Sequence, residues 1–177
     1  MTSDLKQRKY DKVFERFDAD HDGRIDQSDI TALAEKWIDT FGASKGSPEA
    51  SRLTKLASDM WVEVQRHTDL DTDAAISKEE WAKAAEDPDF VDKVAVPFSL
   101  AAFDAADRDN DGKISLDEMI AAQSRSGMSE QESRQVFDKL DGDHDGYVSR
   151  DEFGKATRDF YLSDNPSDAG NQLAGSL

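Results

Sequence analysis

Bulky apolar side chains recur along this chain at three- and four-residue intervals. Tyr10, Val13, Phe14 and Phe17 form one stripe, and Ile30, Leu33 and Trp37 form the next. The pattern returns at Trp61 and Val64, at Trp81, at Phe103, at Met119, at Val136, Phe137 and Leu140, and at Phe153 and Phe160. Side chains three and four apart share one face of a helix, so each stripe predicts an amphipathic helix with a buried side. Local signals agree. Ser47 ahead of Pro48 offers a cap with proline at the first helical position. Ser129 and Glu132 have the form of a capping box. Asp87-Pro88 predicts another helix start, and Pro97 predicts a kink or restart before Phe103. An all-α fold follows, with the aromatics as its core. Gly42 to Ser47, "GASKGS", reads as the most linker-like stretch, and the tail from Asn165 reads as polar with Leu173 and Leu177 as anchors.

The segments between these helices carry the chemistry. "DADHDGRIDQSD" (Asp18 to Asp29), "DRDNDGKISLDE" (Asp107 to Glu118) and "DGDHDGYVSRDE" (Asp141 to Glu152) share acids at the first, third and fifth positions and glycine at the sixth. "DLDTDAAISKEE" (Asp69 to Glu80) keeps the acids and lacks the glycine. A β-branched aliphatic stands at every eighth position: Ile25, Ile76, Ile114 and Val148. Composition sharpens this picture. The 177 residues include 39 acids against 22 bases, a formal charge of −17. That balance excludes nucleic acid as a partner, because binding it needs a basic footprint, and it argues against docking on an anionic membrane. Aromatics at helical spacing argue against disorder. Without cysteine there is no disulfide, thiol nucleophile or zinc–thiolate site. The start "MTSDLKQRKYDK" is too polar for a signal peptide, and no apolar run approaches membrane-spanning length. A cytoplasmic protein without membrane insertion is expected.

A twelve-residue loop between helices with oxygen ligands at positions one, three, five, seven, nine and twelve is the EF-hand. Clustered carboxylates repel one another, and a divalent cation at their centre turns that repulsion into attraction. The expected ligands of loop one are Asp18, Asp20, Asp22, the Arg24 carbonyl, Asp26 and Asp29. Those of loop three are Asp107, Asp109, Asp111, the Lys113 carbonyl, Ser115 and Glu118. Those of loop four are Asp141, Asp143, Asp145, the Tyr147 carbonyl, Ser149 and Glu152. In loop two the corresponding residues are Asp69, Asp71, Asp73, Ala75, Ser77 and Glu80. Loop one ends in Asp29, one methylene shorter than glutamate, which predicts fewer ligands and competition by Mg2+. Loop two has Ala74 where the others have glycine, so binding there is expected to be weak or absent. Three Ca2+ sites are expected, with loop two the candidate for a fourth. Eighth-position residues should pair as short antiparallel bridges, loop one with two and three with four. His21 and His144, at fourth positions, and His67, before loop two, are expected at the surface.

Four such hands, with a long spacing between the first and second, resemble the sarcoplasmic calcium-binding proteins and their bacterial, calerythrin-like relatives. The resemblance runs from Tyr10 to about Pro166. It implies an all-α EF-hand fold in which two pairs of helix-loop-helix hands pack into one compact globule, with short β-bridges between paired loops. The expected division is residues 1–86 for hands one and two, 87–165 for hands three and four, and 166–177 as a polar tail. Family members commonly have one hand that does not bind, often the second. A monomeric intracellular calcium buffer or transporter is expected, since bulky aromatics suit a core buried in every state, as the resemblance also implies. Its folding should be coupled to the ion, because unscreened carboxylates push the empty loops apart. Two alternatives stand beside it. A calcium-dependent regulator of a protein partner would expose a methionine-rich groove, and only Met60, Met119 and Met128 are available besides the initiator. A photoprotein-like luciferin-binding protein would build its cavity from Trp37, Trp61, Trp81 and the "FYLSDNP" segment. Such proteins use cavity histidines, and here all three histidines lie in or beside loops. No serine or threonine–histidine–acid arrangement stands out, so no enzymatic activity is expected.

Overall fold

The computed structural model describes residues 3–40, 42–68, 73–124 and 127–173, apart from the side chain of Gln172. Helix α1 (Asp4–Phe17) leads through the first acidic loop and strand β1 (Arg24–Ile25) into α2 (Gln27–Thr40). Helix α3 (Pro48–Thr68), strand β2 (Ile76–Ser77) and α4 (Lys78–Ala85) form the second hand. The third has α5 (Pro88–Phe90), a π-helical segment (Val91–Ala95), α6 (Val96–Ala106), β3 (Lys113–Ser115) and α7 (Leu116–Ser124). The fourth has α8 (Glu130–Leu140), β4 (Tyr147–Ser149) and α9 (Arg150–Leu162), after which a 3-10 turn covers Ala169–Gln172.

The predicted boundaries hold. Ser47 Oγ accepts the Ala50 N–H ahead of α3, and Ser129 with Glu132 forms the capping box of α8. Asp87 caps α5 with Pro88 in its first turn. Pro97 cannot donate to a helical carbonyl, and the chain meets this by winding wider just before it. Over Val91–Ala95 the backbone is π-helical, with the Val96 N–H returning to the Val91 carbonyl. The helix is re-registered there and continues into α6 without a break. "GASKGS" is a tight connection: Ala43 N–H returns to the Ile38 carbonyl at 2.9 Å, and Ser47 already caps the next helix.

The paired loops are joined by two short antiparallel ladders. Ile25 faces Ile76 across β1–β2, and Ile114 faces Val148 across β3–β4. All four side chains are buried. The eighth position of each loop therefore serves both the ladder and the core.

One apolar cluster joins Tyr10, Phe14, Ile25, Ile30, Trp61, Ile76, Trp81 and Phe90 with Phe160 and Tyr161 from α9. A second joins Phe103, Ile114, Met119, Val136, Phe137, Leu140 and Val148. The fourth hand thus ends inside the core of the first two. Polar contacts lock this crossing: Tyr10 Oη donates to the Tyr161 carbonyl at 2.8 Å, and Trp81 Nε1 donates to the Tyr10 carbonyl at 3.1 Å. Lys9 is fully buried, donates to the Ser163 carbonyl at 2.9 Å, and lies 5.6 Å from the Phe160 ring centre. Burial lowers its pKa against the opposing pull of Asp168 and Asp164. Leu173 packs against both clusters, as expected of an anchor, whereas Leu177 lies outside the described residues.

The tail is seated through glycine. A Cβ added to Gly170 would lie 2.1 Å from the Ala156 carbonyl oxygen and 2.8 Å from the Phe160 nitrogen, both rigid backbone of α9. Gly154, inside α9, is different: its Cβ would make ordinary contacts of 3.7 Å and 3.8 Å with Val96 and Leu100. Gly170→Ala should therefore unseat the turn and lower stability by about 1–3 kcal/mol. Gly154→Ala should raise it by about 0.5–1 kcal/mol through helix entropy. Thermal melts of the two variants check this pair of opposite signs.

Candidate metal centres

Loops one, three and four are each wrapped around their own first carboxylate. Asp18, Asp107 and Asp141 are more than nine-tenths buried. Asp18 accepts the N–H groups of Asp22 at 3.1 Å and Gly23 at 3.0 Å. Asp107 accepts those of Asp111 at 3.2 Å and Gly112 at 2.9 Å, and Asp141 those of Asp145 and Gly146 at 3.1 Å. Third- and fifth-position acids repeat the device two residues onward: Asp109 accepts from Asp111, and Asp111 accepts from Lys113. Backbone N–H groups drawn to side chains in this way coil the loop and turn its carboxylates toward one centre.

The turn needs left-handed backbone at the sixth position. Gly23, Gly112 and Gly146 have φ of 84° to 88° there, a region that costs glycine little. Ala74 is held at φ 65° in the same place, so its strain is present in the fold itself. The fourth position is also left-handed, with φ near 60° at His21, Asn110 and His144. This second left-handed position was not expected from the loop pattern. Its signal was present, since asparagine and histidine tolerate left-handed backbone better than most residues.

The twelfth residue closes the loop from the far side. Glu118 Oε1 accepts the Arg108 N–H at 2.8 Å, and its Oε2 accepts both N–H and Oγ–H of Ser115. Glu152 makes the equivalent bonds to Gly142 and Ser149. Ser115 and Ser149 thus cap the exit helices and fix the glutamates. Burial pushes the Glu118 and Glu152 carboxyls up, but their hydrogen bonds outweigh it and hold both below the ordinary glutamate value. What these bonds add to stability is therefore present above the unfolded glutamate pKa and lost as pH falls through the lowered folded one. At Asp109 the Asp111 N–H favours the charged form, yet desolvation and the charges of Asp111, Glu118 and Asp107 together raise the pKa.

Ligand oxygens converge in three places among the described residues: at Asp18, Asp20 and Asp22, at Asp107, Asp109 and Glu118, and at Asp141, Asp143 and Glu152. Within each group the oxygens lie within 4.8 Å of one another. Loop one leaves Asp29 outside its group. The shorter side chain still spans the loop, accepting the N–H of Ala19 and of Asp26 at 2.8 Å each. Asp26 turns to the Ser28 hydroxyl and N–H, which hold its carboxyl below the usual range. In loop two, Asp69 and Asp71 lie outside the described residues. Asp73 accepts the Ala75 N–H at 2.9 Å, and Ser77 and Glu80 form the capping box of α4. Arg24, Lys113 and Tyr147 begin strands β1, β3 and β4. His21 and His144 are exposed, as expected. His67 is half-buried, its ring edge-on to Phe90 at 6.2 Å and its Nδ1 donating to the Glu63 carbonyl. That corrects the expectation that it is a surface residue: one turn of helix brings it against a neighbouring aromatic.

Oxygen-only donor groups, one buried acid per centre and inward-turned amides suit a hard cation that accepts flexible oxygen coordination, which is calcium chemistry. No helix among the described residues is long and apolar enough to cross a membrane.

Comparisons with known proteins agree with the geometry. The EF-hand domain pair family matches residues 99–158, and the EF hand family matches residues 10–34. Calerythrin of Saccharopolyspora erythraea is 25% identical over 168 residues, covering 92% of this chain and 95% of that protein. The structure of a Streptomyces coelicolor calcium-binding protein, described as acting in prokaryotic calcium-mediated regulation, is 32% identical. It superposes with a TM-score of 0.69 over 88% of this chain and 97% of its own. The sarcoplasmic calcium-binding protein of amphioxus shares the fold at 19% identity, with a TM-score of 0.75 and full coverage of both chains. With acidic loops, helical flanks and loop pairing all in register, the chain belongs to the calerythrin-like EF-hand calcium-binding proteins, built on the sarcoplasmic calcium-binding protein fold.

Proposed function

We propose that this protein is a cytoplasmic, monomeric calcium buffer. Loops one, three and four seat Ca2+ through the residues assigned to them above, while loop two binds weakly or stays empty. The two hand pairs, residues 1–86 and 87–165, each act as a unit, with residues 166–177 as the tail.

The observation that supports a buffer is the commitment of apolar surface. Phe160 and Tyr161 of the last hand are buried against Tyr10 of the first, and Met60 and Met119 are buried as well. Among the described residues the exposed large hydrophobics are Val62 and Tyr147. A sensor opens each hand pair to present a methionine-rich groove. Here that opening would tear apart a core both pairs share. The work of binding is instead electrostatic: cations entering the loops offset a formal charge of −17 and let the crowded carboxylates approach.

A regulatory reading has one observation in its favour, the calcium-mediated regulation ascribed to the Streptomyces coelicolor relative. Dye binding separates the two. A buffer keeps apolar surface covered, so 1-anilinonaphthalene-8-sulfonate fluorescence stays level or falls on calcium addition, whereas a sensor raises it. A coelenterazine-binding protein from Renilla muelleri also shares the fold, at 26% identity and a TM-score of 0.60. The interior here is filled by Trp81, whose ring meets both Phe17 and Phe90, and the histidines stand at loops or against Phe90. A non-enzymatic role fits this arrangement.

Calcium-loaded and chelator-treated protein should melt at clearly different temperatures, with higher helix content by circular dichroism in the loaded form. Coincident melts would refute coupled folding. Asp29→Glu should bring the twelfth carboxylate into the loop-one group, raising calcium affinity by about tenfold and weakening magnesium competition. Calorimetric titration with and without millimolar Mg2+ reads both changes. Ala74→Gly should release about 1–2 kcal/mol of left-handed strain and tighten calcium binding in loop two by about tenfold. Unchanged stoichiometry and affinity in that variant would show that backbone strain is not what weakens the loop.

A further inference from the structure

Each loop pair is tied by an ion pair that runs from the seventh position of its first loop to the fifth position of its second. Arg24 Nη2 reaches Asp73 Oδ2 at 2.5 Å, and Lys113 Nζ reaches Asp145 Oδ2 at 2.8 Å. The strand register causes the crossing. Arg24 faces Ser77 and Lys113 faces Ser149, which leaves each long side chain lying over the body of the opposite loop. Lys113 Nζ also stands 4.9 Å from the Tyr147 ring centre. We propose that this seventh-position cation sets the affinity of the partner loop, holding loop four's grip on calcium below what its own ligands would provide. The inference rests on the reading of loop four as a calcium seat.

Two effects of Lys113 on that seat oppose each other. Orienting Asp145 would favour metal capture, whereas a positive charge beside the seat disfavours a dication. The orienting effect is small, because Asp145 is already fixed without lysine. Its Oδ1 accepts the Tyr147 N–H at 2.9 Å, and its own N–H is held by Asp141 and Asp143 at 3.1 Å each. The lysine takes only the second oxygen. The repulsive effect scales with the product of the charges. Both side chains are about two-fifths exposed, so a water-like dielectric applies. A single ammonium about 6 Å from a divalent ion in such a medium weakens binding by about tenfold, and salt shrinks this further. Repulsion wins.

The two loops can be read separately. Gly112 and Gly146 each donate an amide to the first carboxylate of their own loop, so their amide resonances report ion entry loop by loop. A calcium-buffered titration of the full chain followed by NMR, in low-salt buffer and in molar KCl, tests the proposal. Lys113→Met should raise calcium affinity at Gly146 by about three- to tenfold in low salt. The gain should fall below about twofold in molar KCl, where the Debye length is about 3 Å. Lys113→Arg keeps the charge and should leave the affinity within about twofold of wild type. Lys55→Met, on the exposed ion pair with Asp59 in α3, removes the same charge at a distance and should do likewise. Unchanged or weakened affinity in Lys113→Met overturns the proposal, as does a gain that survives molar KCl or one that Lys55→Met reproduces. A wild-type chain whose Gly146 resonance ignores calcium removes the loop-four reading itself, and the inference with it.

Discussion

Repulsion between carboxylates packed into short turns is the constraint on which this structure depends. Loops one, three and four answer it in the same way. A buried first-position aspartate collects backbone N–H groups, and the later acids collect the N–H groups two residues ahead. These bonds shape the turn, but they bring like charges nearer rather than neutralising them. The raised pKa of Asp109 beside Asp107, Asp111 and Glu118 shows the residual conflict. A dication resolves it because it is attracted to all of the carboxylates at once.

The helices transmit what happens in the loops. In loops one, three and four the twelfth residue sits in the first turn of the exit helix and hydrogen-bonds back to the second residue of the loop, so a rearranged loop must move that helix. The eighth residue pairs with its counterpart in the neighbouring loop and is buried in the core. Loop geometry and core packing are therefore one problem. The clamp of Lys9, Tyr10, Tyr161 and Ser163 then joins the first helix to the last, which suits a globule that closes over its core.

Differences among the four loops are small in sequence and specific in effect. One methylene separates Asp29 from Glu118 and Glu152, and the shorter residue drops out of the converging group while keeping its backbone bonds. One methyl at Ala74 places a side chain in left-handed backbone. Arg24 and Lys113 set a positive charge over the partner loop. A shared scaffold thus carries four loops of different electrostatic character.

Much of this was legible from the chain alone, because its determinants are local. Helical periodicity, the capping serines and Pro88 depend on neighbours within a turn, and the loop pattern depends on twelve consecutive residues. Even the facing of Ile25 with Ile76 and of Ile114 with Val148 followed from the repeat. Tertiary structure decided what depends on distant partners. Lys9 reads as a surface lysine in a polar stretch, yet it is fully buried because α9 arrives over it and supplies a carbonyl. His67 gained a half-buried place only through Phe90. Pro97 announced a disturbance, but only the packed helix shows that a wider turn absorbs it. Gly170 matters because α9 passes within contact of its α-carbon, a proximity that no local pattern encodes. The crossing of Lys113 to Asp145 required the strand register before either residue could be seen to concern the other. Short-range hydrogen bonding and periodicity are written in consecutive residues, whereas burial and charge pairing are decided by which surfaces meet.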